Sequence, residues 1–121
     1  MRNGVTHCID CRAEFDDAPL FAGNPNISYL WNGVRDDGIP KPTIWFQKSL
    51  DFALSALASP RHKVYAHCLA GRNRGPSTAF AIMLALGWLP QDARDLIKKN
   101  RPVAGIAYAA DAERAIKELG Y

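Results

Sequence analysis

The sequence predicts an α/β fold over residues 1–121: a single domain with a largely parallel central sheet flanked by helices. Two observations carry this. Short apolar runs suited to buried strands alternate along the chain with stretches whose apolar residues recur at helical spacing. A chain of 121 residues is also long enough for one hydrophobic core and one domain.

Taken in order, Val5–Asp10 reads as the first strand. Asp16–Asn26 is rich in Asp, Pro, Gly and Asn and reads as a loop. Ile27–Trp31 reads as the second strand. Arg35–Pro42 holds Asp-Asp-Gly and two prolines, which restrict a second loop. Thr43 is placed to cap a helix running to about Ala58, with Phe46, Leu50, Ala53, Leu54 and Leu57 on one face. Pro60–Lys63 turns the chain into a short buried strand, Val64–Ala66, ending at His67-Cys68. A helix follows from about Pro76 to Leu86, with Gly87 suited to its C-terminal cap. Further helices fit Pro90–Asn100 and Tyr108–Leu119.

Bulk properties narrow the function. A net charge of +3 is compatible with an anionic substrate but too small and too evenly spread for nucleic acid. Met1–Gly4 lacks the apolar stretch of a signal peptide, so a cytoplasmic location is expected. The longest charge-free run, Gly75–Gln91, is interrupted by Gly87 and Pro90 and reads as a buried helix, not a membrane span. Three cysteines without a signal peptide argue against a disulfide scaffold. Cys8 and Cys11 have Cys-x-x-Cys spacing, but zinc needs four ligands and other candidates are scattered. No metal and no cofactor is expected.

His67-Cys68-Leu69-Ala70-Gly71-Arg72-Asn73-Arg74 is the most informative stretch. In a parallel sheet it lies at the carboxyl edge of a strand, where such sheets bind ligands. Five residues between Cys68 and Arg74 suffice to wrap a loop around one tetrahedral anion. Gly71 lets successive N–H groups curl inward. The following helix adds its positive end, a setting that favours a thiolate at Cys68. Arg74 is spaced for bidentate contact with two phosphoryl oxygens, which lysine would not reproduce. Leu69, Ala70, Gly71, Arg72, Asn73 and Arg74 are thus the candidate phosphate-binding residues, and Cys68 the candidate nucleophile.

This stretch resembles the His-Cys-x5-Arg signature of cysteine-dependent protein tyrosine phosphatases, and its Ala-Gly is similar to the compact dual-specificity branch. The resemblance runs from about Val5 onward. It implies a phosphocysteine at Cys68, a phosphoryl clamp at Arg74, and a supporting His67 that organises the loop through hydrogen bonds. Asp36-Asp37-Gly38-Ile39-Pro40 resembles the Asp-x-Gly-x-Pro part of the family's mobile acid loop. That register makes Asp36 the general acid and Asp37 the residue beside it. The resemblance further implies a phosphorylated protein as substrate, dephosphorylated at phosphotyrosine or at phosphoserine and phosphothreonine.

Several positions depart from the family pattern. Val34-Arg35 stands where Trp-Pro usually precedes the acid, which implies a different loop closure. Gly75 stands where most relatives carry the Ser or Thr whose hydroxyl stabilises the thiolate. Ser77 or Thr78 compensates only if the turn brings one of them round. Arg72 matches a basic position of the lipid-phosphatase branch, and a solvated loop arginine is its plainer reading. Cys11 resembles a resolving cysteine that some members keep, which implies a reversible Cys11–Cys68 disulfide. Relatives usually carry another strand at the start, so a sheet edge near Val5 is expected, with a monomer or a weak dimer. Two alternatives stay open: a phosphate-reading module with little turnover, and a phosphatase of lipids or of nucleic-acid 5′ ends.

Overall fold

The computed structural model describes residues 4–22 and 26–121. The order is β1 (His7–Arg12), α1 (Ala18–Phe21), β2 (Ser28–Val34), α2 (Thr43–Leu57), β3 (Val64–His67), α3 (Arg74–Ala85), α4 (Pro90–Asn100) and α5 (Ala109–Leu119). The three strands form one parallel sheet in the order β2-β1-β3. Asp10 of β1 stands opposite both Trp31 of β2 and His67 of β3. All three strands therefore end at one edge, and the loops that follow them meet there.

The central strand shows why the sheet forms here. Cys8, Ile9, Asp10 and Cys11 are all buried, the continuous run expected of a parallel strand covered on both faces. Ile9 and Cys11 join a core with Phe46 and Leu50 of α2, Phe80 of α3, and Ala112 and Ala115 of α5. Each large aliphatic or aromatic side chain buried this fully contributes about 1.5–3 kcal/mol. Asp10 is tolerated in the interior because the Arg12 guanidinium and the Tyr29 hydroxyl both donate to it, at 2.8–2.9 Å. Burial raises the Asp10 pKa, but these donors outweigh it and hold the carboxyl below its ordinary value.

α4 has the expected bounds, and other elements shift by a few residues. β1 begins at His7, because Thr6 and His7 both give their N–H groups to the Lys63 carbonyl before ladder pairing starts. β2 runs on to Val34 across a register shift, with one extra residue on β2 between Trp31 and Val34 opposite Asp10 and Arg12 of β1. The expected Asp16–Asn26 loop contains α1, where the Asp16 side chain accepts the Ala18 N–H and the Asp17 carbonyl accepts the Phe21 N–H; residues 23–25 of that loop lie outside the described residues. Thr43 does not cap α2. Pro42 is the cap residue, Thr43 is helical, and its hydroxyl donates to Glu118 instead. α3 begins at Arg74, two residues before Pro76, and ends before Gly87, whose φ of 99° continues the turn. No helix among the described residues is long and apolar enough to cross a membrane.

Candidate active site

Cys68 is the first residue beyond β3, and its side chain is buried at the sheet edge. From there the loop is shaped by its carbonyls. The guanidinium of Arg101 donates to the Ala70 carbonyl at 2.9 Å and to the Gly71 carbonyl at 3.3 Å. The N–H groups of Gly105 and Ile106 donate to the Arg72 carbonyl at 2.8 and 3.2 Å. A trans peptide holds its C=O and the next N–H on opposite sides. Three outward carbonyls therefore turn the N–H groups of Gly71, Arg72 and Asn73 to the other side, and no described residue accepts from them. Gly71 makes this possible: its φ is +65°, and a Cβ would lie 3.0 Å from the Arg101 guanidinium. The loop runs directly into the amino end of α3, with Asn73 as its cap residue.

Arg74 opens α3 and is 3% exposed. Glu14, beyond β1, accepts from Arg74 Nη1 at 2.6 Å and Nη2 at 3.1 Å, and the Val34 carbonyl accepts from Nη1 at 2.8 Å. One edge of the guanidinium is thereby fixed to the protein. On the other, Arg74 Nε is buried without a partner among the described residues. A buried donor without a partner is one that an oxyanion would satisfy. Glu14 is held down to a pKa of about 2, first by its hydrogen bonds from Arg74. The guanidinium is thus aligned by an acceptor that stays ionised in any ordinary buffer.

Asp36 comes to the same loop. Its carboxylate accepts from Asn73 Nδ2 at 3.3 and 3.2 Å and from the Tyr108 hydroxyl at 2.8 Å. Asp37 points elsewhere, accepting from Lys41 Nζ at 2.7 Å and from the Ile39 N–H at 3.0 Å. The structure thus sends the two carboxylates to different partners. Two recesses flank the loop. One of about 570 Å³ is lined by Cys68, Gly71, Leu96, Ile97 and Arg101. A second of about 300 Å³ is lined by Ala13, Glu14, Arg35 and Asp36. The smaller is lined by Asp36 and by the Glu14 that pairs with Arg74.

The remaining candidates distribute as follows. His67 lies on the other face from Cys68, with Nε2 3.8 Å from Asp10 and its ring stacked on Tyr65; its ring makes no hydrogen bond to the loop among the described residues. Burial lowers its pKa. Ser77 does not turn towards Cys68: its hydroxyl accepts the Tyr108 N–H at 3.2 Å. Thr78 pairs with Cys11 Sγ at 3.4 Å. Gly75 has a packing reason, since a Cβ there would stand 3.1 Å from backbone atoms of His67 and 3.2 Å from the Cys68 nitrogen. Leu69, Ala70 and Arg72 are exposed on the loop. Cys11 shares the core with Cys68, and burial pushes its thiol up to about 12. Asp10, Asp17 and His67 offer ligand atoms within 4.8 Å of one another, but Arg12 already bridges both carboxylates.

Sequence reasoning missed Glu14, Arg101 and Tyr108. Glu14 was legible only as the end of the strand carrying Cys11. For Arg101 and Tyr108 the sole signal was a Pro- and Gly-containing link between two helices. No spacing rule connects such residues to a loop thirty positions away.

No protein-family model matches the chain. Among solved structures it is similar to human DUSP28, at 19% identity over 99% of this chain and 80% of that one, with a TM-score of 0.78. It is similar to PTPMT1 in complex with PI(5)P, at 19% identity over 95% and 81%, TM-score 0.74. It is also similar to the human tyrosine phosphatase-like serine/threonine/tyrosine-interacting protein, at 18% identity over 98% and 80%, TM-score 0.73. The chain has the fold of the dual-specificity phosphatases.

Proposed function

We propose that this protein is a phosphomonoester hydrolase that dephosphorylates proteins, at phosphotyrosine first, through a phosphocysteine at Cys68. The observation that carries the reading is Arg74: one edge held by Glu14 and Val34, the opposite Nε buried and unpaired. With the Gly71, Arg72 and Asn73 amides it suits three equatorial phosphoryl oxygens.

In the first step the Cys68 sulfur attacks phosphorus, the P–O bond to the leaving group breaks, and Asp36 gives its proton to that oxygen. In the second, water attacks phosphorus, its proton passes to Asp36, and the S–P bond breaks to return the thiolate and release phosphate. Both steps run on residues of this chain. Cys68→Ser is expected to abolish turnover while vanadate still binds, and Arg74→Lys to lose binding and rate together. A panel of phosphotyrosyl, phosphoseryl and phosphoinositide substrates tests the substrate class. Preference for phosphoinositides, the ligand class of the PTPMT1 complex, would overturn the protein reading, and activity retained in Cys68→Ser would overturn the mechanism.

A phosphate-reading module is the second reading, and Gly75 favours it, because the hydroxyl that assists the thiolate in most relatives is missing. Pre-steady-state kinetics separate the two: an enzyme of this mechanism releases a burst of leaving group, and a module releases none.

A further inference from the structure

The resemblance implies a mobile acid loop, yet residues 36–43 are tied down at several points by α5 and its N-cap residue Tyr108, in addition to the Asn73 contact with Asp36. The Tyr108 hydroxyl donates to Asp36 Oδ1 at 2.8 Å and accepts the Gly38 N–H at 3.1 Å, so its one proton and one acceptor site are both used. Asp111 accepts the Lys41 N–H at 2.9 Å. Arg114 donates to the Lys41 carbonyl at 2.5 Å and is itself held by Asp111 at 2.8 Å. Glu118 accepts from the Thr43 hydroxyl. Positions 108, 111, 114 and 118 recur at helical spacing and form one stripe. Ala112, Ala115 and Ile116 form the neighbouring stripe buried in the core.

Two further observations show that this stripe is aimed. Lys41 is 4% exposed, a rare position for lysine, and its ammonium lies 4.9 Å over the Tyr108 ring while pairing with Asp37. Ile106 has φ of 48°, a left-handed conformation costly for a β-branched residue. Such strain persists only where the surroundings over-determine it. Here the Ile106 N–H is spent on the Arg72 carbonyl of the Cys68 loop, two residues before Tyr108 meets Asp36.

We infer that the α5 stripe of Tyr108, Asp111, Arg114 and Glu118 holds the acid loop shut over the Cys68 loop through contacts made within the chain, with Tyr108 as the positioning residue of Asp36. The catalytic part of this rests on the reading of Asp36 as the general acid; the tether itself does not.

The test is Tyr108→Phe, which keeps the ring over Lys41 and removes only the hydroxyl. Amide exchange by NMR is expected to speed up at least about tenfold at Gly38, with the Ile9 amide of β1 unchanged as the folding control. For phosphate esters, kcat/KM on phenyl phosphate, which reports only the steps up to the phosphocysteine, is expected to fall about tenfold, a part of the roughly 10²–10⁴ that a general acid supplies. The kcat/KM on 2,4-dinitrophenyl phosphate, whose leaving group needs no proton, is expected to stay within about twofold, because the later proton transfer from water to Asp36 does not enter kcat/KM. Adding Tyr108→Phe to Asp36→Asn should cost nothing more. Equal Gly38 exchange in both proteins overturns the tether. Equal loss on both esters, or losses that multiply in the double variant, overturn the positioning role. If Tyr108→Phe does not fold, Asp111→Ala gives the same reading at the Lys41 amide. A wild-type protein that hydrolyses neither ester overturns the phosphatase reading, and the Gly38 rate still decides the tether.

Discussion

Gly75→Ala gives a stability change whose sign separates two explanations of a missing hydroxyl. If Gly75 were an indifferent loss, alanine would fit and stabilise the first turn of α3 by about 0.5–1 kcal/mol. The structure says otherwise. The new Cβ would meet the His67 carbonyl carbon and Cα at 3.1 Å and the Cys68 nitrogen at 3.2 Å. These are backbone atoms of a strand end, so no side chain can rotate away, and the upper part of the roughly 1–3 kcal/mol overpacking range applies. After the helix gain is subtracted, the net cost is about 1–2.5 kcal/mol. Unfolding entropy near 2.1 cal/mol/K per residue over 121 residues is about 250 cal/mol/K, so each kcal/mol moves Tm by about 4 °C. Differential scanning calorimetry should therefore show Tm lower by about 4–10 °C. A rise of about 2–4 °C would mean that the close approach of α3 to β3 is wrong. Gly75→Ser should fall similarly and not raise kcat, because its hydroxyl arrives only by displacing the Cys68 backbone.

Glu14→Gln removes the anionic partner that aligns Arg74; kcat/KM and vanadate affinity should drop about 10- to 100-fold, and a change below twofold in both would show that Arg74 is aligned without it. Stability should fall as pH drops through the ordinary histidine value near 6.5, since burial, aided by His62, lowers the His7 pKa and burial lowers that of His67. The unfolded chain then binds protons first, so Tm falls with pH in this window; a Tm that rises on acidification from pH 7.5 to 5.5 contradicts the assignment. A second loss is expected below about 4.5, as protonation of Glu14, held down near 2 by Arg74, removes the pair. Mild peroxide should yield a Cys11–Cys68 disulfide, Cys11 attacking the Cys68 sulfenic acid with loss of water. Mass spectrometry that finds only Cys68 sulfinate would exclude Cys11 as the resolving thiol. Because burial holds the Cys11 thiol near 12, the disulfide fraction should grow with pH.

What the sequence shows of this molecule divides by range. Elements built from local periodicity were legible: Pro90–Asn100 has its expected bounds and Asp36 lies on the expected loop, whereas Cys68 falls just past β3 and Arg74 is already the first residue of α3. Boundaries decided by distant partners were not. Thr43 has every local mark of a cap, yet its hydroxyl goes to Glu118, seventy-five positions away. Ser77 reads equally well as a thiolate partner, but the Tyr108 N–H takes its oxygen. α1 lies in a stretch whose Asp, Pro and Gly content signals turns, and side-chain and backbone acceptors at Asp16 and Asp17 convert that content into one helical turn.

The same division explains why a signature alone does not set a turnover rate. In the proposed reaction Cys-x5-Arg supplies the reacting sulfur and the phosphoryl clamp, but the partners that hold the site come from elsewhere: Glu14 beyond β1 for the guanidinium, Arg101 after α4 for the loop carbonyls, Tyr108 before α5 for the carboxylate. Each is delivered by the parallel topology that ends every strand at one edge. A loop bearing the same eight residues on a different frame would keep its composition and lose its inward amides, because those depend on the carbonyls being held outward. Arg101→Ala isolates this dependence. It leaves every signature residue in place and frees the Ala70 and Gly71 carbonyls, so phosphate and vanadate affinity should weaken together about tenfold or more with Cys68 unchanged. Undiminished vanadate affinity in that variant would mean that the loop holds its shape by its own sequence, and that the long-range frame is incidental to binding.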